Sequence, residues 1–183
     1  MKKIKWKEIT TSQGFRADEV ISALQKEIRR GHLENAIYWA RELCLSGDIF
    51  EKKFWERMST IVVEDIGLAN PNAVLLINTV KQAYYSKYEH PDDRLLHALF
   101  AAAYLAKSKK DRYIDEIKNY FNIFPQKKTI PDYALDKHTK RGKELGRGDL
   151  HFWQTAAIIK PEIKGRNTKY LKSIIKHFHD SSK

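Results

Sequence analysis

"STIVVEDIGLANPNAVLLINTV", residues 59–80, joins two apolar runs through a short polar break. The first run stops at the adjacent acids Glu64 and Asp65, and Gly67 and Pro71 follow before the second run begins. Glycine is common just after the end of a helix, and proline is favoured at the first helical position. The stretch therefore predicts two consecutive helices joined by a tight turn. It also raises the question of whether the two acids are catalytic or structural.

Glu64 and Asp65 are neighbours at the end of a predicted helix. Consecutive helical side chains point about 100° apart, so these two carboxylates do not converge on one reacting atom. Acids at the C-terminal end of a helix are also unfavourable to its dipole. A hydrogen bond or ion pair to a neighbouring helix or turn explains them, and a catalytic role is the alternative. The spacing favours the structural explanation.

The helical periodicity continues on both sides of this turn. Apolar residues at helical spacing predict helices over residues 18–30, 32–47, 49–65, 70–88, 92–108 and 109–121, the first two as an antiparallel pair. Asn70 is the expected N-cap of the fourth helix, with Pro71 at its first helical position. Cys44 lies at an apolar helical position and is expected to be buried. The third helix is expected to face inward with Phe50, Phe54, Met58, Ile61 and Val62.

The amino-acid composition of the chain changes after Pro125. Glycines, prolines and charges predict an irregular segment with one short helix near residues 137–145, followed by an amphipathic helix over residues 167–179. The sequence thus predicts an all-α helical bundle with an irregular basic C-terminal segment. Its parts are a basic arm (1–16), a helical domain (17–124) and a basic segment (125–183).

Composition excludes several classes of protein. With one cysteine, an intrachain disulfide and a Cys-based zinc site are excluded. There is no long apolar run of about 18 residues and no signal peptide, so we expect a cytoplasmic protein that does not span a membrane. The motifs G-x-x-x-x-G-K-[ST], G-x-G-x-x-G, G-x-S-x-G and H-E-x-x-H are absent, and no cofactor is indicated.

The net charge of +11 is concentrated at the two ends. Residues 1–7 carry four lysines and no acid, and residues 125–183 carry 14 basic and 6 acidic residues, whereas the region between them is nearly neutral. This asymmetry indicates an anionic partner, with nucleic acid the leading candidate and solubility the alternative. The predicted phosphate contacts are Lys137, Lys140, Arg141, Lys143 and Arg147, supported by Lys164, Arg166, Lys169 and Lys172. Base stacking is open to Tyr133, His151, Phe152 and Trp153.

Metal binding and catalysis are weaker alternatives. His177 and His179 lie two residues apart on a predicted helix and face different sides, which is poor geometry for one metal. Asp136 and His138 with His151 would supply three ligands, but nothing in the sequence fixes their geometry. We therefore predict no metal site and no enzyme. A nucleic-acid-processing enzyme using Asp136, His138 and Glu64 or Asp65 is the least favoured reading.

Two stretches go beyond generic helix signals. "DEVISALQKEIRRGHLENAIYWARELCLSGD" followed by "VVEDIGLANPNAVLL" resembles the C-terminal helical region of the RarA/MgsA family, the clamp-loader-like AAA+ ATPases that include the Werner-helicase-interacting protein. "AAAYLAKSKKDRY" and "IPDYALDKHTKRGKELGRG" resemble later parts of the same region, so the resemblance covers about residues 17–148. Its most specific motif residues are Tyr38, Trp39, Arg41, Glu64, Asp65, Gly67 and Pro71.

The resemblance implies a helical collar domain that self-associates and that forms a tetramer in known relatives. It implies a role in DNA replication, recombination and repair. It also implies that the Glu64–Asp65 turn belongs to the oligomerisation domain, away from an ATP site. The sequence differs from the family pattern in three ways: the ATPase motifs are absent, "AKSKKDR" lacks the family's proline, and the tail after about Leu150 is unlike that of the family. Met1 and this tail favour a stand-alone protein over a fragment of a larger ATPase.

The sequence is thus interpreted as a non-enzymatic helical module that self-associates and contacts the DNA backbone without base specificity. The alternative is a protein-interaction adaptor that docks on an ATPase or polymerase partner, with its basic tail meeting an acidic protein. Binding to DNA, and its weakening by salt, separates the two.

Overall fold

A computed structural model describes residues 5–86 and 91–181. Contacts between Cα atoms divide the chain into two compact units, Met1–Pro125 and Gln126–Lys183. The described residues are helical apart from turns, loops and an isolated antiparallel bridge between Thr10 and Arg16. The predicted all-α class is confirmed.

The first unit is built from six helices in its described residues. They are α1 (Ala17–Arg30), α2 (Leu33–Cys44), α3 (Asp48–Ile61), α4 (Ala73–Tyr84), α5 (Pro91–Lys107) and α6 (Tyr113–Ile123). α1 and α2 form the expected pair, joined at Gly31, whose positive φ of 76° closes α1. α5 packs against α1, α2 and α4, and its small residues Ala98, Ala101 and Ala102 are fully buried there. Small side chains at these positions let the neighbouring helices approach α5 closely.

One apolar core joins these helices. All the side chains predicted to face inward from α3 and the residue after it are buried, and Trp55 joins them. Cys44 is buried as expected, and burial raises the pKa of its thiol to about 12, so it is an inert core residue. The largest fully buried side chains are Trp55, Tyr84, Phe54, Leu24, Ile28, Leu43, Met58, Ile61, Ile66, Ile77 and Leu105.

The prediction for the start of α4 is wrong. The helix begins at Ala73 with Asn72 at its N-cap, and Pro71 lies in the preceding turn. The Asn70 side chain is tied to α5, where its amide nitrogen donates to the Tyr104 hydroxyl at 2.8 Å. The helix ends at Tyr84, earlier than the predicted end near Tyr88, a residue that itself lies outside the described ranges.

The second unit has shorter elements. They are a 3-10 turn (Asp132–Ala134), α7 (Lys140–Glu144), α8 (Asp149–His151), which continues as a π-helical turn (Phe152–Ala156), and α9 (Lys169–Asp180). α9 packs on α8 and the π-helical turn. Gly142 is the only buried residue among the described residues of this unit, which therefore has little apolar core.

Candidate functional site

Glu64 and Asp65 lie in a single turn of π-helix, Val62–Ile66, that continues α3. A π-helical turn contains one extra residue and is frequent at functional sites. Here it turns the Asp65 side chain fully into the protein while Glu64 stays partly exposed. The two carboxylates therefore pair with the same cations, although one is buried and the other is near the surface.

Asp65 is the centre of a buried ionic network. Its Oδ1 accepts from Arg29 Nε of α1 at 2.5 Å and from Arg112 Nη1 at 2.6 Å, and its Oδ2 accepts from Gln25 Nε2 at 3.0 Å. Glu64 Oε1 accepts from the same two arginines at 3.1 Å and 3.2 Å. Two arginines thus share two acids, and every oxygen of the buried carboxylate has a donor.

The network extends outward to neighbouring helices. Arg57 of α3 donates to Gln25, and Arg112 Nη2 donates to Asp115 of α6 at 2.5 Å. Partial burial acts to lower the pKa of the Arg112 guanidinium, but its hydrogen bonds to Asp65 and Glu64 outweigh that effect and raise it. Arg112 therefore remains charged, and the network ties α1, α3 and α6 together.

Gly67 closes this turn for a steric reason. Its φ is 54°, and a Cβ added there would lie 2.1 Å from the carbonyl oxygen of Asp111. The same segment is held by a hydrogen bond from the Asp111 amide to the Asp65 carbonyl at 3.0 Å. Glu64 and Asp65 both pair with Arg29 and Arg112, which supports the structural explanation of the two acids over the catalytic one.

Tyr38 and Trp39 hold the loop that precedes α1. The Tyr38 hydroxyl donates to the Gln13 side chain at 3.2 Å, and Trp39 meets Phe15 edge to face with ring centres 5.4 Å apart. Glu42, buried on the same helix, accepts from the Gln13 amide at 3.1 Å. The segment after the first few residues is thus packed onto the helical body.

In the second unit, two of the predicted phosphate contacts are used internally. Arg147 donates to the carbonyls of Asp132 and Leu135 at 2.7 Å and 2.8 Å and to the Asp132 carboxylate at 2.5 Å. Its side chain is only 17% exposed, and its hydrogen bond holds the pKa of Asp132 below the usual value. Lys137 pairs with Asp149 and lies over the Phe152 ring, 5.1 Å from its centre. These two cations hold the unit together.

The other three predicted phosphate contacts of this cluster, Lys140, Arg141 and Lys143, lie on the outward side of α7. Thr139 caps the helix by accepting from the Gly142 amide at 2.9 Å. Gly142 packs so tightly that an added Cβ would lie 1.8 Å from the Asp136 carbonyl oxygen. Because this side faces inward, Lys140, Arg141 and Lys143 are exposed, and Lys140 has only a loose 3.9 Å ion pair with Glu144. The geometry leaves three cations on one short, anchored helix.

The supporting cations are spread over the rest of this unit. Lys169, Lys172 and Lys176 are exposed at spacings of three and four residues, so they share one side of α9; Lys176 was not predicted. Lys164 is exposed, and Arg166 pairs with Glu162. Of the four residues predicted for base stacking, Tyr133 is the most exposed, whereas Phe152 packs against His138 with ring centres 5.1 Å apart.

Asp136 and His138, which the metal and catalytic alternatives share, are in contact with each other. His138 Nδ1 lies 3.0 Å from Asp136 Oδ2, and this contact and the His138 amide lower the pKa of Asp136. In residues 5–86 and 91–181, no group of three or more His, Cys, Asp or Glu side chains is placed to hold a metal ion. Within the same ranges, no helix is both long and apolar enough to span a bilayer.

Residues 31–178 match a family model described as the C-terminal domain of the MgsA AAA+ ATPases. This chain belongs to the MgsA C-terminal family. The predicted resemblance is thereby confirmed. The expectation that the tail after Leu150 departs from the family is wrong, because the match runs on through α9. The matched part of the family is a C-terminal domain of an AAA+ ATPase.

Two relatives extend this result. The chain is 30% identical over 143 residues to Replication-associated recombination protein A of Haemophilus influenzae, an alignment that covers 74% of this chain and 30% of that protein. It is 29% identical over 133 residues to the protein of the same name from Bacillus subtilis, covering 71% and 31%. The chain thus spans about three-tenths of the length of these relatives.

Proposed function

We propose that this chain is a non-enzymatic module that self-associates through its helical domain and contacts the DNA backbone in replication, recombination or repair. The helical domain (17–124) supplies the self-association, and the basic arm (1–16) and basic segment (125–183) supply the contact with DNA. Family membership and the relatives' names support this setting. The implied compartment is the cytoplasm, at the nucleoid, and the implied assembly is a homo-oligomer, tetrameric by family resemblance.

The observation that carries the DNA contact is the outward set of cations on α7. Lys140, Arg141 and Lys143 project from a helix whose opposite side is fixed by Gly142. Cations on a rigid support neutralise phosphates and release counterions, which gives affinity without base specificity and a steep dependence on salt. Lys164 and the α9 lysines enlarge the same basic unit. Arg147, Lys137 and Arg166 act by holding the unit's shape.

The test is charge reversal with a matched control. A variant with Lys140→Glu, Arg141→Glu and Lys143→Glu is compared with one in which the exposed cations Arg41, Lys52 and Lys109 of the first unit become glutamates. Both lose the same charge. Fluorescence anisotropy of labelled duplex DNA between 50 and 200 mM salt should show that the first variant reduces the slope of log K against log salt by about 2 to 3. Unchanged affinity at low salt, or equal losses in both variants, contradicts the proposal.

An adaptor role is the second candidate, and α6 is the observation that favours it. None of its residues is buried, and Tyr113, Ile114 and Phe124, just beyond its end, are about half exposed. An exposed apolar helix suits a protein partner such as an ATPase or replication protein. Stable self-association with no response to DNA at low salt would favour this role over the first.

A further inference from the structure

α5 is apolar on two opposite sides. Its inner side, which includes Ala98, Ala102 and Leu105, is fully buried in the core of the first unit. On its outer side, Leu96 and Phe100 are 62% and 52% exposed. Large apolar side chains that line up in an exposed row on one side of a helix are typical of an interaction surface. The outer side therefore has the composition of a contact surface.

The outer side is a regular stripe. Asp93, Leu96, Phe100, Ala103 and Lys107 follow one another at steps of three and four residues, which places them along one side of a helix. Asp93 and Lys107 are both exposed. Each is seven residues from Phe100, which is about 10 Å along the helix axis in either direction. The stripe thus has an acid at one end, a base at the other and an aromatic ring in the middle.

This order is self-complementary in one orientation. We propose that α5 of one copy packs antiparallel against α5 of a second copy, about a twofold axis near Phe100. That arrangement brings Asp93 of each copy next to Lys107 of the other, so opposite charges pair. It also packs the large side chain of Leu96 against the small side chain of Ala103. A parallel arrangement would place Asp93 against Asp93 and Lys107 against Lys107. The charges therefore select a second copy in the antiparallel orientation.

The contact is isologous, since the same surface is used by both copies and each charge pair occurs twice. It rests on the proposed self-association and names the surface that carries it. Because a symmetric pair closes on itself, this face joins two copies, and a larger assembly uses a second face.

A charge swap tests the orientation. Asp93→Lys and Lys107→Asp are made singly and together, and the self-association constant is measured by sedimentation velocity at 50 mM salt. Each single change places like charges together twice and should weaken association about tenfold or more. The double variant restores both pairs with the sign exchanged, so it should return to within about threefold of the original chain. A double variant weaker than either single variant overturns the antiparallel pairing.

An apolar variant tests the surface itself. Leu96→Glu places a charge within the apolar part of the contact, one helical turn from Phe100, and should weaken association about a hundredfold, whereas Leu45→Glu, at an exposed leucine after α2, should not. Circular dichroism checks that both variants remain folded. If the chain associates and Leu96→Glu leaves it unchanged, the α5 contact is wrong while the proposed self-association stands. If the original chain is a monomer at every concentration, the proposed self-association is itself wrong.

Discussion

The two units use charge in opposite ways. In the first, the densest charge cluster is inside, where Asp65 is fully buried between Arg29 and Arg112. In the second, the densest cluster is outside, on α7, and the ion pairs of Arg147 and Lys137 lie near the surface. A large apolar core can surround a desolvated ion network, whereas a small unit in which Gly142 is the one buried residue among those described cannot. Burial, rather than the number of charges, separates structural charge from charge that is available to a partner.

The largest effect expected is the loss of Asp65. Asp65→Asn removes the buried anion and leaves two arginines short of a partner, so it should lower the free energy of unfolding of the first unit by about 3 kcal/mol or more. Glu64→Gln, at the partly exposed acid of the same turn, should cost about 1 kcal/mol or less. Urea unfolding followed by far-UV circular dichroism measures both. Equal costs would mean that depth of burial does not distinguish the two acids.

A second test concerns the turn that positions this network. Gly67→Ala adds a Cβ that clashes with the Asp111 carbonyl and holds an alanine at an unfavourable φ. It should lower the free energy of unfolding by about 2–3 kcal/mol. Gly14→Ala is the control, because its φ is also positive but nothing lies within 4 Å of the added Cβ. It should cost about 1 kcal/mol. The difference between the two urea midpoints reports the close approach of Asp111, and its absence would remove that contact from the account.

A third test separates stability from binding in the second unit. Arg147→Ala removes three hydrogen bonds from a mostly buried guanidinium and should cost about 1–2 kcal/mol. Lys143→Ala should leave stability unchanged and weaken the binding of DNA. Fluorine NMR of fluorotryptophan-labelled protein follows the unit directly, since Trp153 is its one tryptophan. A stable Arg147→Ala variant that binds DNA less well would place Arg147 among the phosphate contacts instead.

The smallest effect expected is a dependence on acid pH. The pKa values of Asp132 and Asp136 are lowered in the folded protein, chiefly by hydrogen bonds from Arg147 and His138 respectively. Their contribution to stability is therefore complete above the ordinary aspartate pKa of about 4 and is lost as the pH falls through the lower folded values. The Trp153 resonance should report weaker folding of the second unit below about pH 4. Asp132→Asn should flatten that profile, and an unchanged profile would contradict it.

The sequence predicts the helices well and the partners of charged groups poorly. Periodicity and Gly31 place α1 and α2 closely, because each helix buries one apolar side. The local signals Asn70 and Pro71 place the start of α4 too early, because the helix begins at Ala73. The link from Asp65 to Arg112, 47 residues away, depends on packing that no local pattern encodes. The same holds for Lys137 and Arg147, which local sequence does not distinguish from Lys140 and Lys143.

Size-exclusion chromatography with light scattering, run with and without a short forked DNA at low and moderate salt, tests self-association and DNA binding together. We expect a defined oligomer whose mass rises with DNA at low salt and rises less at moderate salt. A monomer whose mass does not change with DNA at either salt would contradict this expectation.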